Sequence, residues 1–488
     1  MTQSSVEPKT TAEDAGSGSR NPAGRSWLDR YFHISERGSS VATEIRGGVT
    51  TFMAMAYILL LNPLILSGKD VDGNVLSQPA LITATALCAA ATTLLMGFWG
   101  KVPLALAAGL SVSGVMASQV VPVMTWPQAM GMSVAYGAVI CLLVVTGLRE
   151  MIMNAIPLAL KHAITIGIGL FIAIIGFVKA GFVHENPAPG GGPVSLGPAG
   201  ELQGWPVLIF AFTLLLIFAL QSRNIPGAIL IGIVTGTVVA AILNAVADIP
   251  ATAWFSGAPE LHGSAVSAPD FSLIGDVSFS GWGDVGYITI TMIVFTLVLA
   301  GFFDAMATIL GVGTEAKLAD DRGRMPGLSK ALFIDGAGGI LGGAGGASGQ
   351  TVFVESATGV GEGARTGLAS VVTGAFFALC LFFTPLTAIV PQEVAAAALV
   401  VIGSMMMQNA KHVDWSDRSV AIPVFLTVVL MPFTYTITTG VAAGVISYAV
   451  IKSAQGKARE VGGFMWALTG VFVIYFAIHP IEGWLGVG

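Results

Sequence analysis

Three carboxylates stand in stretches otherwise built for lipid: Asp304 in VLAGFFDAMATIL, Asp335 in KALFIDGAGG and Glu355 in GGAGGASGQTVFVESATGVGEG. An ionisable group at hydrocarbon depth is costly, and it usually faces a bundle interior or a water-filled cavity where it meets a ligand, a partner or a proton. Thr308 follows Asp304 by four residues, hence on the same helix face, and either shares its polar pocket or bonds back to its own helix. Asp335 lies five residues from Lys330, near the end of its apolar run, and reads as structural. Asp304 and Glu355 are the candidates for binding a substrate. They are also the candidates for a coupling proton, because desolvation disfavours the charged form of a carboxyl.

The surroundings of Glu355 suggest how a ligand would be held. The glycine run before it cannot sustain a regular helix on propensity, and TVFVES alternates like a short extended piece. From Gly359 onward the chain can open a half-helix. Extended backbone at this depth is tolerated only where it is buried in protein or lines a cavity. Such a site suits a flat polar ligand: backbone groups read its edge, the Glu355 carboxylate fixes it and Phe353 stacks on its face. Gln350 stands just before this piece and could add an amide. An earlier segment, Lys101–Gly114 (KVPLALAAGLSVSG), follows the same logic with Pro103, Gly109, Ser111 and Ser113.

Other chemistries find little support. The histidines (His33, His162, His184, His262, His412, His479) fall in tails, loops or span ends, and Cys88, Cys141 and Cys380 are isolated in apolar runs. No metal-ligand spacing, disulfide framework or nucleophile–base pair emerges, so no catalytic residue, metal or cofactor is expected. The glycines from 338 to 346 lack the Lys-Ser/Thr pair of a phosphate loop and read as close helix packing.

Composition supplies the frame that must position these residues. The 488-residue chain is 54% hydrophobic and 10% charged, with mean hydropathy +0.80. Soluble domains carry about 25% charged residues. At about 20 apolar residues per span, fourteen spans can be drawn, those at 103–121 and 348–361 being short and irregular. A further apolar stretch, 464–478, either crosses or lies partly embedded. With the N-terminus inside, twenty of the 22 basic residues fall on the inward side, a strong positive-inside bias.

The chain also repeats itself. Phe52–Leu59 (FMAMAYIL) and Phe303–Leu310 (FDAMATIL) agree at six of eight positions, 251 residues apart; LAAG (106–109) and SATG (356–359) recur at an offset of 250. Seven spans per copy is an odd number, so the second copy must be inverted, a signature of secondary transporters that bind at the midplane. The expected fold is therefore an all-α polytopic membrane protein of two inverted seven-span repeats, with short strands in spans 3 and 10. Residues 1–25 read as a disordered cytoplasmic tail. Core segments are expected at 26–150 and 286–390, gate segments at 151–250 and 391–488, and an extracytoplasmic loop at 251–285.

Several long runs carry a family likeness: ERGSSVATEIRGGVTTFMAMAYILLLNP (36–63), FFDAMATILGV (302–312), VFVESATGVGEGARTGLASV (352–371) and AIPVFLTVVLMPFTYTITTGVAAGVISY (421–448). With these runs the chain resembles the nucleobase cation symporter-2 superfamily, in particular its azaguanine-type hypoxanthine/guanine/adenine permeases. The resemblance implies proton-coupled uptake of a nucleobase across the inner membrane by a dimer. It puts substrate-binding acids at Asp304 and Glu355, with Thr308 and Phe353 beside them. The site departs from the family pattern: Ala108 and Ser113 replace a Pro and an Asn, FDAMAT loses a Thr and a Gly, and Gln350 is introduced. These changes predict a redrawn hydrogen-bond pattern if Ser113 and Gln350 face the ligand. They also leave open another heterocycle or an organic anion as cargo. An intramembrane enzyme is the competing class, and it lacks a positioned nucleophile.

Overall fold

The computed structural model describes residues 26–485 apart from 149–155, 187–191, 198–199, 248, 251–252, 255–258, 260–263, 317 and 319–326; for a few helical residues, Asp304 among them, it describes the backbone alone. The tail expected over residues 1–25 lies outside the described residues. Among these, eight helices are long and apolar enough to cross a membrane, the longest being Val41–Ile65 and Gln78–Gly100, and five shorter apolar helices accompany them. The apolar runs thus become helices, as required where lipid offers the backbone no hydrogen bonds. The stretch at 464–478 falls within the helix Gly463–Leu485.

Local chemistry sets several helix starts. Ser40 accepts the N–H of Thr43 at the start of Val41–Met55, and Thr125 and Gln128 form a capping box on Trp126–Val145. Pro63 has no N–H, so the carbonyl of Leu59 loses its helical donor. The chain tightens just before it, with the N–H of Leu59 reaching the carbonyl of Ala56 at 3.2 Å, and a turn at Ala56–Tyr57 separates Val41–Met55 from Ile58–Ile65.

Two strands cross in the middle of the chain's fold. Leu106–Ala108 pairs antiparallel with Gln350–Val352, with Leu106 opposite Val352 and Ala108 opposite Gln350. Each strand leads into a short helix, Leu110–Val115 and Ser356–Gly361. Two expectations need correction. The strand stops at Val352, so Glu355 is not carried on it; Phe353, Val354 and Glu355 form the turn that opens the short helix, with the N–H of Ser356 on the carbonyl of Phe353 at 3.1 Å. The LAAG/SATG correspondence sets a strand against a helix, whereas the two short helices begin 246 residues apart, at Leu110 and Ser356. Four-residue identities among alanine and glycine do not fix register.

The glycines from 336 onward pack as expected of close helices. The helix Leu328–Ala344 lies against Trp126–Val145 so tightly that a Cβ on Gly137 would sit 2.5 Å from the Ile340 nitrogen and 2.7 Å from the Gly336 carbonyl oxygen.

Candidate functional site

A cavity of about 370 Å³ opens beside the strand crossing. Its floor comes from Tyr57, the start of Leu110–Val115, Thr308 of the helix Tyr287–Glu315, and the run Val352–Glu355. Thr165 of Leu158–Lys179 and the chain from Ile402 to Asn409 form the facing wall. The exposed side chains of Gln408, Lys411 and His412 mark the mouth. Floor residues are mostly buried, so a ligand entering past Lys411 meets progressively less water.

Glu355, Phe353 and Thr308 therefore share one cavity. Glu355 is half-buried at the start of its short helix, and the Tyr57 hydroxyl donates to its Oε1 in a short hydrogen bond. Phe353 is 6% exposed, its N–H held by the carbonyl of Ala105 at 3.0 Å, so strand pairing fixes the ring against the cavity. Asp304 stands one turn before Thr308 on the same helix; its side chain lies outside the described residues.

Ser113 and Gln350 are not brought to the cavity wall. Ser113 is fully buried and donates to Asn62 Oδ1 at 2.7 Å, while Asn62 Nδ2 donates to Thr85 and to the carbonyl of Ala347. This network ties the first strand's helix to the loop before the second strand. Gln350 is 1% exposed and donates from Nε2 to the Ser348 carbonyl at 3.0 Å; among the described residues its Oε1 has no partner. Asp335 braces the second strand, accepting from Thr351 and Val352.

Reading the sequence alone misses Tyr57, Thr165, Asn409, Lys411 and His412. A tyrosine in an apolar run looks ordinary, and Lys411 and His412 look like solvated loop. The signal for Tyr57 is the repeat: the octapeptides differ only at 53/304 and 57/308. At the mouth, His412 stacks on His162, ring centroids 5.2 Å apart, and His162 Nδ1 lies 3.3 Å from Asn409 Oδ1. Among the described residues no cluster of three or more His, Cys, Asp or Glu side chains is placed to hold a metal ion.

A largely apolar cavity holding a carboxylate among membrane-length helices is the anatomy of a carrier, and comparison with known proteins is decisive. The model described as Permease family (Xan_ur_permease) matches residues 42–443. The chain belongs to this permease family. It is thus a multi-pass membrane permease rather than an enzyme. The guanine/hypoxanthine permease PbuG of Bacillus subtilis is 35% identical to this permease over 92% of the chain and 99% of its own length. The adenine permease AdeP of Escherichia coli is 34% identical over 93% and 96%. Among solved structures, the transmembrane domain of the cyanobacterial bicarbonate transporter BicA superposes with TM-score 0.58 at 18% identity, over 83% of this chain and 97% of that one. SLC26A9 superposes with TM-score 0.61 at 13% identity, over 88% and 67%. At such identities these two establish the fold alone.

Proposed function

We propose that this permease takes up a nucleobase, a purine such as hypoxanthine, guanine or adenine, by proton-coupled alternating access. The observation that carries the reading is the meeting of Glu355, Phe353 and Thr308 in one cavity beside the strand crossing. A carboxylate, an aromatic face and a hydroxyl are what a flat heterocycle with N–H donors needs. Asp304, four residues before Thr308, is the second acid of the site, and one of the two acids carries the proton. Ser113 and Gln350 act one layer behind the wall, setting the strand crossing. The names of the relatives, guanine/hypoxanthine and adenine permeases, support the substrate class.

The reading includes the architecture: fourteen spans in two inverted repeats, core segments 26–150 and 286–390 moving against gate segments 151–250 and 391–488, in a homodimer. The chain sits in the inner membrane with a cytoplasmic N-terminus, which the bias of basic residues supports. An organic anion is the second reading, favoured by Lys411 and His412 at the mouth. A radiolabelled uptake panel in a host lacking its own purine transport, with and without an uncoupler, separates them. Purine accumulation abolished by the uncoupler is expected. Accumulation that survives collapse of both pH gradient and potential sinks proton coupling, and a panel in which only anions accumulate sinks the nucleobase.

A further inference from the structure

The two copies of the repeated octapeptide differ at two positions only, and at one of them both residues line the cavity. Where the second copy has Asp304 and Thr308, the first has Met53 and Tyr57. Tyr57 and Thr308 both line the cavity. Met53 brings no acid; its side chain is 40% exposed. The acid in reach of Tyr57 is instead Glu355, 298 residues later, which accepts the tyrosine hydroxyl. The second copy keeps an acid and a hydroxyl four residues apart on one helix, Asp304 and Thr308; a second pairing, Tyr57 with Glu355, forms a couple assembled across the two halves of the chain.

The second couple needs a tyrosine. A threonine hydroxyl stays on Cβ, close to its own helix, whereas the phenol carries its hydroxyl across the cavity floor. The ring itself is 1% exposed and packed among buried apolar side chains, so its direction is fixed before any ligand arrives. The turn at Ala56–Tyr57, where the N–H groups of Leu59 and Leu60 bond three residues back, sets where the ring leaves the helix. The Tyr57 hydroxyl is the donor of this bond and occupies one side of Glu355 Oε1.

We infer that Tyr57 is a positioning residue: its hydroxyl fixes the plane of the Glu355 carboxylate and so selects the donor edge of the heterocycle. The inference rests on the reading of Glu355 as a substrate ligand. A hydrogen bond to a charged group is worth at least about tenfold in an equilibrium constant.

The test uses the full-length permease in proteoliposomes, with tritiated hypoxanthine, guanine and adenine as probes for both binding and uptake. Variants are Y57F, 3-fluorotyrosine at position 57, and E355Q. Y57F is expected to raise KM and weaken binding about tenfold for the preferred probe, with Vmax within about twofold, and to compress the differences among the three probes. The fluorotyrosine variant, which keeps the hydroxyl, is expected to restore KM. Y57F with wild-type KM and ranking overturns the inference, as does a loss that fluorotyrosine fails to restore. If Y57F yields no folded protein, the fluorotyrosine variant decides by its pH profile: with KM at the wild-type value, its more acidic hydroxyl must still shift the pH dependence of uptake, and an unshifted profile overturns the inference. E355Q that still binds as wild type removes the substrate reading itself; E355Q without binding beside an unaffected Y57F removes only the role of Tyr57.

Discussion

Asp335 Oδ1 accepts the hydroxyl of Thr351 at 2.8 Å and the backbone N–H of Val352 at 3.2 Å, so one carboxylate on the helix Leu328–Ala344 holds the strand that leads to the cavity floor. Asp335 is 2% exposed, and neither donor has water to turn to. Asp335→Ala leaves both unmatched, at about 1–3 kcal/mol each. Asp335→Asn keeps an oxygen acceptor in the same place. The alanine variant is expected to melt several degrees lower and to lose uptake per folded molecule, with the asparagine variant between it and wild type. Thermal melts in detergent, with uptake normalised to folded protein, check this; an alanine variant melting like wild type would mean the strand does not depend on the brace.

The candidate site was legible where chemistry conflicts with solvent. Glu355 announces itself because a charge in an apolar run must have a reason, and Phe353 follows from its place beside that acid. Ser113 and Gln350 mislead because proximity in sequence does not say which way a side chain turns: in a three-residue strand buried on every position, Gln350 folds back onto Ser348 instead of facing the cavity. Tyr57 hides because burial of a ring needs no explanation, and its hydroxyl finds Glu355 only after the chain has closed across 298 residues. Helices at the apolar runs were plain from composition. Strand register was not, since Ala–Gly motifs match too easily to align Leu106–Ala108 with its true counterpart.

Asp70 provides a pH-dependent contribution outside the spans. It lies in the loop after Ile58–Ile65 and accepts the N–H groups of Asp72 and Asn74 on Oδ1, at 3.0 and 2.8 Å, and that of Trp126 on Oδ2 at 3.2 Å. Burial raises its pKa, but the backbone donors of Asn74, Trp126 and Asp72 lower it by more, and the net is below the ordinary carboxylate value. A carboxyl with a depressed folded pKa contributes stability fully present above the unfolded value of about 3.9 and lost as pH falls through the folded one. The melting-temperature difference between wild type and Asp70→Asn should be constant from pH 7 to about 5 and shrink below about 4. A difference that stays constant down to pH 3 would rule out this contribution.

Orientation can be read chemically. Ser264 lies in a stretch without basic residues, and Ser329 beside Lys330; both are exposed. In a background with Cys88, Cys141 and Cys380 replaced, cysteine at 264 should react with an impermeant thiol reagent added to intact cells. Cysteine at 329 should react only in inside-out vesicles. The reverse pattern would invert the assigned topology.

The last prediction concerns what closes the cavity away from its mouth. The hydroxyl of Thr438 donates to Gln119 Oε1 in a short bond and meets Thr296 at 2.8 Å. The cluster joins the continuation Met116–Val120 of one short helix, the start of Ile437–Ala454 and the helix Tyr287–Glu315. Thr296 precedes Thr308 by twelve residues, about 18 Å along the helix, so the cluster stands well away from the cavity floor. Phe171, six residues beyond the wall residue Thr165, packs edge-on against Tyr435, with ring centroids 5.1 Å apart. In the alternating-access reading these contacts seal the outer side while Lys411 and His412 mark an open inner one. Thr438→Val removes the donor to Gln119, whose Nε2 is already buried without a partner among the described residues. Cysteine at Val354, which lines the cavity and is 51% exposed, reports the result. Thr438→Val should raise its labelling from outside by about tenfold, the value of one lost hydrogen bond at the strong end of the neutral range. Its labelling from the inside should fall. Equal outside rates with and without Thr438→Val would mean that these hydroxyls pack the helices and do not hold the gate.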